Sequence, residues 1–312
     1  MAEENGKLIG IAPLMYSVHT MFGLQRGTIE FIGAGHPTYS NFIINDEHDK
    51  CIQKFFEYLN NLPKKWICAE LCNLSQDRNS LSSLNKISNN VERERKCLLT
   101  KLPSSSDAFL STIKRKDRKE FRRNLRRLQN DGFKVDLTDC SETNQITKGM
   151  SSLFYLNQKR WNSKGFSGKF SDPNFCNFCL DVAKCFSEKG WLGLYNLELY
   201  GKPVASLFGF KYKSTYSAYI TGMDPAYKQY GVGTLLFIKV IDRCIQDGLA
   251  EFDFMWGTDH YKQQYNPVSK YTFKASVPRK GTLSHFNYLL YKKYWSHGNR
   301  LLYFHEKLLK SR

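Results

Sequence analysis

Acidic side chains are scarce in this chain: 29 Asp and Glu stand against 46 Lys and Arg, giving a formal charge of +17 and a pI near 9.4. So large a basic excess calls for an anionic partner, whether nucleotide, RNA, membrane surface or acidic glycan, and charge alone does not choose among them. No uncharged apolar run reaches membrane-spanning length, and no N-terminal stretch has the basic, apolar and small-residue order of a signal peptide. The expectation is a soluble, cytoplasmic protein. Nine cysteines are scattered without the spacing of a small disulfide-rich domain, and an odd count points to reduced thiols. The pair Cys176-x-x-Cys179 has no second Cys/His pair at ligand spacing and reads as the buried side of a helix, so no metal site is expected.

What is present is enough for packed cores: 312 residues, 41% hydrophobic and 14% aromatic. In the first hundred residues, Lys7 to Val18 and Gly27 to Ile32 read as partner strands, and Ser40 to Ile44 resumes extended structure. Ile52, Phe55, Phe56 and Leu59 have helical spacing within 49–59; Trp66 to Leu71 and Cys97 to Leu102 read as short strands. His36 lies in a Gly33-Ala34-Gly35-His36-Pro37 turn, where a structural or substrate-lining role outweighs that of a general base. The Ser, Asn and Asp content of residues 75–90 predicts a surface loop. A domain boundary is expected at Leu102-Pro103-Ser104, dividing 1–104 from 105–312, with Ser106 or Asp107 capping the next helix.

That helix runs to Asp131 on a stripe of Phe109, Leu110, Ile113, Phe121, Leu125 and Leu128, interrupted around Asp117. Nine of the fourteen residues from Lys114 to Arg127 are Lys or Arg against two acids. Such a face is either solvated or a contact for phosphates, as in tRNA or an anionic membrane surface. A strand at 133–137, a helix striped by Ile146, Met150, Leu153 and Leu156, a polar loop from Gly165 to Pro173 and a helix from Phe175 to Lys189 follow. Three strands in 191–221 then lead into the stretch that organises the rest.

Lys228-Gln229-Tyr230-Gly231-Val232-Gly233-Thr234 passes directly into the apolar run Leu235, Leu236, Ile238, Val240, Ile241. A glycine-containing turn opening a helix presents unpaired backbone N–H groups, a site for a pyrophosphate. It is not a Walker loop, for no Gly-Lys-Ser/Thr follows, and the dinucleotide fingerprint lacks its third glycine. A strand from Glu251 to Trp256 comes next. Alternation puts Glu251, Asp253 and Met255 on one face and Phe252, Phe254 and Trp256 on the other. Asp253, Asp259, His260, Tyr261 and Lys262 are the polar groups within reach of its end.

Lys228 to Gly233 resembles the acyl-coenzyme-A pyrophosphate loop of the GNAT acetyltransferases, with Gln229 where many such loops have glycine. Phe252-Asp253-Phe254-Met255-Trp256-Gly257 followed by Tyr261-Lys262 is similar to the BioF2-like/CelD branch of that superfamily, as are Gly190-Trp191-Leu192, Tyr200-Gly201-Lys202-Pro203-Val204-Ala205, Arg160-Trp161 and the basic segment near Arg122. The resemblance implies an α/β fold of mixed α+β type: a GNAT-like mixed central sheet flanked by helices. It also implies two tandem modules, the first N-terminally incomplete, and a GNAT-family N-acetyltransferase or acyltransferase activity. The cofactor implied is acetyl-CoA or another acyl-CoA, on Lys228, Gln229, Tyr230, Gly231, Val232, Gly233 and Thr234. Asp253 is expected to orient substrate, with Tyr261 as proton donor, Lys262 as electrostatic contact and His260 as an alternative base; equally open is a buried, hydrogen-bonded structural carboxylate at Asp253 with Tyr261-Lys262 packing the sheet edge. Arg160, Trp161 and Asp259 would face the acceptor. That acceptor is a small molecule or glycan: an amino sugar, polysaccharide or lipid-linked precursor of the cell envelope. Two other readings stay open, a Fem-like aminoacyl-tRNA-dependent peptidyltransferase and a non-catalytic RNA-binding or scaffold protein of the same fold.

Overall fold

A computed structural model describes residues 1–21, 24–33, 39–88, 90–281 and 288–289. The reading of His36 lies outside the described residues. The chain divides into two compact units, Met1–Lys96 with the chain from Tyr271 onward, and Cys97–Lys270. The boundary expected at 104/105 thus lies a few residues beyond the division at 96/97, and the final strand, which the sequence left with the second domain, falls mostly in the first unit.

The first unit runs β1 (Ala2–Glu4), β2 (Lys7–Ile11), β3 (Leu14–Met21), β4 (Leu24–Phe31), β5 (Ile43–Ile44), α1 (His48–Asn61), β6 (Cys68–Leu74), α2 (Arg78–Ser88) and the start of β7 (Val91–Lys101). β3 and β4 are an antiparallel hairpin, and β6 pairs in parallel with β4 over Thr28–Glu30 against Cys68–Glu70. Ile29, Phe31, Ala69 and Leu71 pack with Ile52, Phe55 and Phe56 of α1 in one core. The surface loop expected at 75–90 is a helix. Asp77 accepts from the N–H groups of Asn79 and Ser80, and Leu84 is fully buried. Its polar composition hid the helical spacing, because the buried side consists of Ser80, Ser83 and Leu84, with Leu81 partly buried, and Ile87 is exposed.

In the second unit come α3 (Ser106–Thr112), α4 (Arg115–Asn130), β8 (Val135–Asp139), α5 (Ile146–Asn162), α6 (Pro173–Glu188), β9 (Leu192–Leu199), β10 (Lys202–Tyr212), β11 (Thr215–Met223), α7 (Val232–Gln246), β12 (Glu251–Trp256) and the start of β13 (Val268–Pro278). The single helix expected from 107 to 131 is two. Buried Ile113 adopts extended angles, and α4 restarts after Lys114. The cap is Ser105, whose side chain accepts from the N–H of Ala108, rather than Ser106 or Asp107.

Sheet order here is β7-β12-β11-β10-β9-β8, antiparallel except for the β11/β12 pair, so the sheet is mixed as expected. Alternation sorts its residues, apart from a bulge between Pro203 and Ala205 of β10 that keeps Val204 on the face of Ala205 and Leu207. Tyr195, Leu197, Val204 and Leu207 face α7 and α4, whereas Leu194 and Phe208 face α5 and α6 with Met150 and Leu153. Helices therefore cover both faces. Among the described residues, no helix is long and apolar enough to cross a membrane.

Close packing of α5 on β11 depends on Gly222, where a Cβ would stand 2.5 Å from the backbone nitrogen of Asn157 and 2.9 Å from the carbonyl carbon of Leu156. Neither backbone atom can swing aside as a side chain would. Gly222→Ala is expected to lower the unfolding free energy by about 3 kcal/mol, read from urea denaturation.

Candidate functional site

β11 delivers the chain to the glycine turn. Asp224 accepts from the N–H of Ala226 at 3.0 Å and from Lys159 Nζ at 2.7 Å, fixing a short 3-10 segment, Pro225–Tyr230. Gly231 then takes φ of +62°, a left-handed conformation that glycine adopts at little cost, and its carbonyl accepts from the N–H of Leu235 at 3.0 Å. The N–H groups of Val232, Gly233 and Thr234 precede that first helical bond, and the first turn of α7 contains no acid. Lys228 and Gln229 point outward, while Tyr230 and Val232 are buried.

The basic helix forms one wall of this turn. Asn124, nearly buried on α4, sits against Gly231 where a Cβ would otherwise stand. Arg127 lies 5.4 Å over the ring of Tyr230 and reaches the carbonyl of Gln229 at 3.5 Å, and the Tyr230 hydroxyl donates to Asp131 at 2.6 Å. Lys119, Arg122, Arg123, Arg126 and Arg127 line a groove beside it. Among the described residues the nine cations of Lys114–Arg127 make one salt bridge, Arg123 to Glu120 at 3.9 Å.

Across the turn the sheet opens. β11 and β12 pair over Thr215–Ser217 against Glu251–Asp253 and then part, although β11 continues to Met223 and β12 to Trp256. A bulge causes the parting: Met255 has φ of +59°, and past it Trp256 pairs with Cys97 of β7. The bulge also overturns the simple alternation expected for β12. Trp256 is half exposed, while Phe252 and Phe254 are buried.

Asp253 is 1% exposed and accepts from the N–H of Met255 at 2.7 Å and from Lys270 Nζ at 2.8 Å. Its carboxylate therefore holds the bulge. Lys262, 4% exposed, donates to the carbonyls of Phe254 at 3.0 Å, Trp256 at 2.8 Å and Gly257 at 3.4 Å. Burial pushes its pKa down, with Asp259, 3.7 Å away, pulling the other way.

Tyr261 packs its ring 5.5 Å from Phe237, and burial pushes its phenol up to about 12. Asp259 raises that pKa further and Arg160 lowers it, so these three polar groups share one neighbourhood. From α5, Arg160 donates to Thr221 Oγ1 at 3.3 Å and Asn157 to the Thr221 carbonyl at 2.7 Å, on the open part of β11. Trp161 is partly exposed beside them, and His260 is exposed.

The structure thus brings together Arg160, Asp259 and Tyr261, and gives Asp253 and Lys262 to the strand end. Sequence reasoning missed Asn124, Asn157, Lys159 and Asp224. The Asp224-Pro225 pair was a readable turn signal, and Asn157 shares a helical face with Arg160 at a spacing of three. The approach of Asn124 to Gly231 left no local trace. Cys179 is buried with its thiol pushed up to about 12, as its place on a helix interior implied, and no metal-binding cluster occurs among the described residues.

Residues 115–263 match the family model described as the acetyltransferase (GNAT) domain. No curated protein matches the sequence. Among solved structures, FemX is similar over 88% of this chain and 86% of its own, with a TM-score of 0.61 at 11% identity. The structure of L-PGS from Bacillus licheniformis is similar over 90% and 86%, with a TM-score of 0.55 at 12% identity. At such identities the likeness is one of fold. The matched segment holds the wall helix, the glycine turn, the parted strands and Tyr261-Lys262 together, and residues 115–263 belong to the GNAT superfamily, in a chain with a Fem-like fold.

Proposed function

We propose that this protein is an acyl-CoA-dependent N- or O-acyltransferase that uses acetyl-CoA or another acyl-CoA. The observation that carries the reading is the parting of β11 from β12 directly beside a helix N-terminus free of acids. The turn fits a pyrophosphate on its own geometry, since Gly231 takes a left-handed angle and the N–H groups of Val232, Gly233 and Thr234 open the helix. Lys228 and the α4 cations add positive charge around it. When bound, acyl-CoA supplies an activated acyl group as a thioester.

The residues then divide the work. The gap between the strands positions the acyl group, which can supply most of the rate enhancement. Arg160, Trp161 and Asp259 hold the acceptor. Tyr261, a phenol that stays protonated at neutral pH, donates a proton to the leaving thiolate. His260 is exposed and is the alternative base for the acceptor's proton. Asp253 and Lys262 shape the strand end, positioning rather than touching substrate. The acceptor class is an amino sugar, a polysaccharide or a lipid-linked precursor of the cell envelope, and nine free thiols fit a cytoplasmic setting.

A second reading, a Fem-like aminoacyl-tRNA donor, is favoured by one observation: a nearly unpaired row of nine cations walls the donor turn.

Calorimetric titration with acetyl-CoA decides between them. Saturable binding is expected, roughly tenfold weaker in Lys228→Glu. If the intact protein does not bind acetyl-CoA but binds charged tRNA with a steep salt dependence, the second reading stands.

The hold on the turn is pH-dependent. Burial works to raise the Asp224 pKa, but the hydrogen bonds from Lys159 and from the N–H of Ala226 outweigh it, and the carboxyl titrates below its ordinary value. Its stabilising contribution is therefore complete above the usual carboxylate range and fades as pH falls through the lowered value. Asp224→Asn should be less stable than wild type at neutral pH, and the two stability curves should converge below about pH 4 in thermal unfolding.

A further inference from the structure

The end of α5, the loop after it and the start of α6 form a surface that meets the site described above only at Lys159, Arg160 and Trp161. Residues 161–167 are exposed one after another. Trp161 is 37% exposed, Phe166 38%, Phe178 55% and Tyr155 62%. The rings are linked rather than scattered. Trp161 and Phe166 lie 6.2 Å apart, and a chain of contacts runs from Phe170 to Phe175 at 5.5 Å and on to Phe178 at 6.3 Å.

Lysines are interleaved with them. Lys159 Nζ stands 5.6 Å from the ring centre of Tyr155, Lys164 5.3 Å from Trp161 and Lys169 5.8 Å from Phe175. Lys159 is paired with Asp224, whereas Lys164 and Lys169 make no salt bridge among the described residues. The loop is seated, not loose: a Cβ on Gly168 would come within 2.8 Å of Gln158 Oε1 and 3.2 Å of the Trp161 ring.

Exposed aromatic rings are costly in water unless something covers them. Ring and ammonium in alternation match the boundary zone of a bilayer, where aromatic rings lie at the headgroup level and lysine stems run along apolar surface to reach phosphate. Single-stranded nucleic acid is the competing occupant, because it also uses rings and cations. Base stacking needs a free ring face, however. Here Lys164 and Lys169 stand over the faces of Trp161 and Phe175, and Phe166 meets Trp161 at 80°. One face each of Trp161 and Phe175 is thus already taken by an ammonium group, and Phe178 stacks a face on Phe175, which leaves fewer faces for bases.

We propose that residues 161–178 dock on an anionic lipid surface, with Phe166 and Phe178 entering the headgroup boundary and Lys164 and Lys169 contacting lipid phosphates. Docking there would set the acceptor side of the site, at Trp161, against the membrane. The docking itself does not depend on the acyl-CoA reading.

The test is co-sedimentation of the full chain with vesicles of phosphatidylcholine alone and of phosphatidylcholine mixed equally with phosphatidylglycerol. Binding is expected on the anionic vesicles. A Phe166→Ser/Phe178→Ser double variant should partition roughly tenfold more weakly or worse, since two largely exposed rings are removed without touching the core. Lys164→Gln/Lys169→Gln should weaken binding to anionic vesicles and leave thermal unfolding unchanged. Because the chain is so basic, an α4 variant, Arg122→Glu/Arg126→Glu, is the necessary comparison. The proposal is overturned if the intact protein stays in the supernatant, if both loop variants sediment like wild type, or if only the α4 variant releases the protein. Binding of single-stranded RNA that the loop variants lose would overturn it in favour of nucleic acid. Acetyl-CoA affinity, measured on the two loop variants, reports on the donor turn separately and is expected to be unchanged.

Discussion

The separation of β11 from β12 after Ser217 and Asp253 is the constraint on which the site depends. Two interior strands that part leave backbone groups without their ladder partners, and buried groups of that kind cost about 1–3 kcal/mol each if nothing replaces the bond. Here side chains replace it. Asp253 takes the N–H of Met255, Lys262 takes three carbonyls, and Asn157 takes the carbonyl of Thr221. Two charged groups are buried in doing so, and Lys262 is destabilised as a cation by that burial. The arrangement tolerates this because what it maintains is a gap between strands, which apolar residues would close.

The second feature is the cationic wall. A helix with nine basic residues in fourteen repels itself, and its apolar stripe against the core must hold it in place. Asn124 is the one polar residue of α4 that is nearly buried, and it faces Gly231. The same helix therefore fixes the shape of the turn through Asn124 and surrounds it with charge through Arg122, Arg126 and Arg127. Steric and electrostatic roles are carried by neighbouring positions on successive turns.

Much of this was legible. The strands from Leu192 to Met223, helices α5, α6 and α7 and the glycine turn follow from period and punctuation, because each is a long element with one buried face. Helix α2 was not legible, since two of its three buried positions are serines and only Leu81 and Leu84 bring apolar surface to the core. The break at Ile113 was not legible, because the apolar stripe from Phe109 to Leu128 runs across it and reads as one helix. For Asp253, the strand and a structural role for its carboxylate were among the readings, but the bulge it holds was not. Alternation assumes an unbroken strand, and the positive φ at Met255 is set by tertiary contacts that no local pattern encodes.

The two units repeat one pattern, and their helix starts differ. In the first, the hairpin β3–β4 leads through α1 to β6, parallel to β4; in the second, the hairpin β10–β11 leads through α7 to β12, parallel to β11. Even the buried acid recurs, as Glu70 paired with Lys274 and Asp253 paired with Lys270. The helix N-termini differ. α1 begins at Glu47 with Asp49 in its first turn, and Lys50 bridges to Glu47 at 3.0 Å, so acids already complement the positive end of that helix and would repel a phosphate. α7 begins at Gly231 with no acid in its first turn and with a cationic helix alongside. The repeated pattern thus presents a helix start free of acids in only one of its two copies, and the difference comes from a handful of residues at that start rather than from the fold.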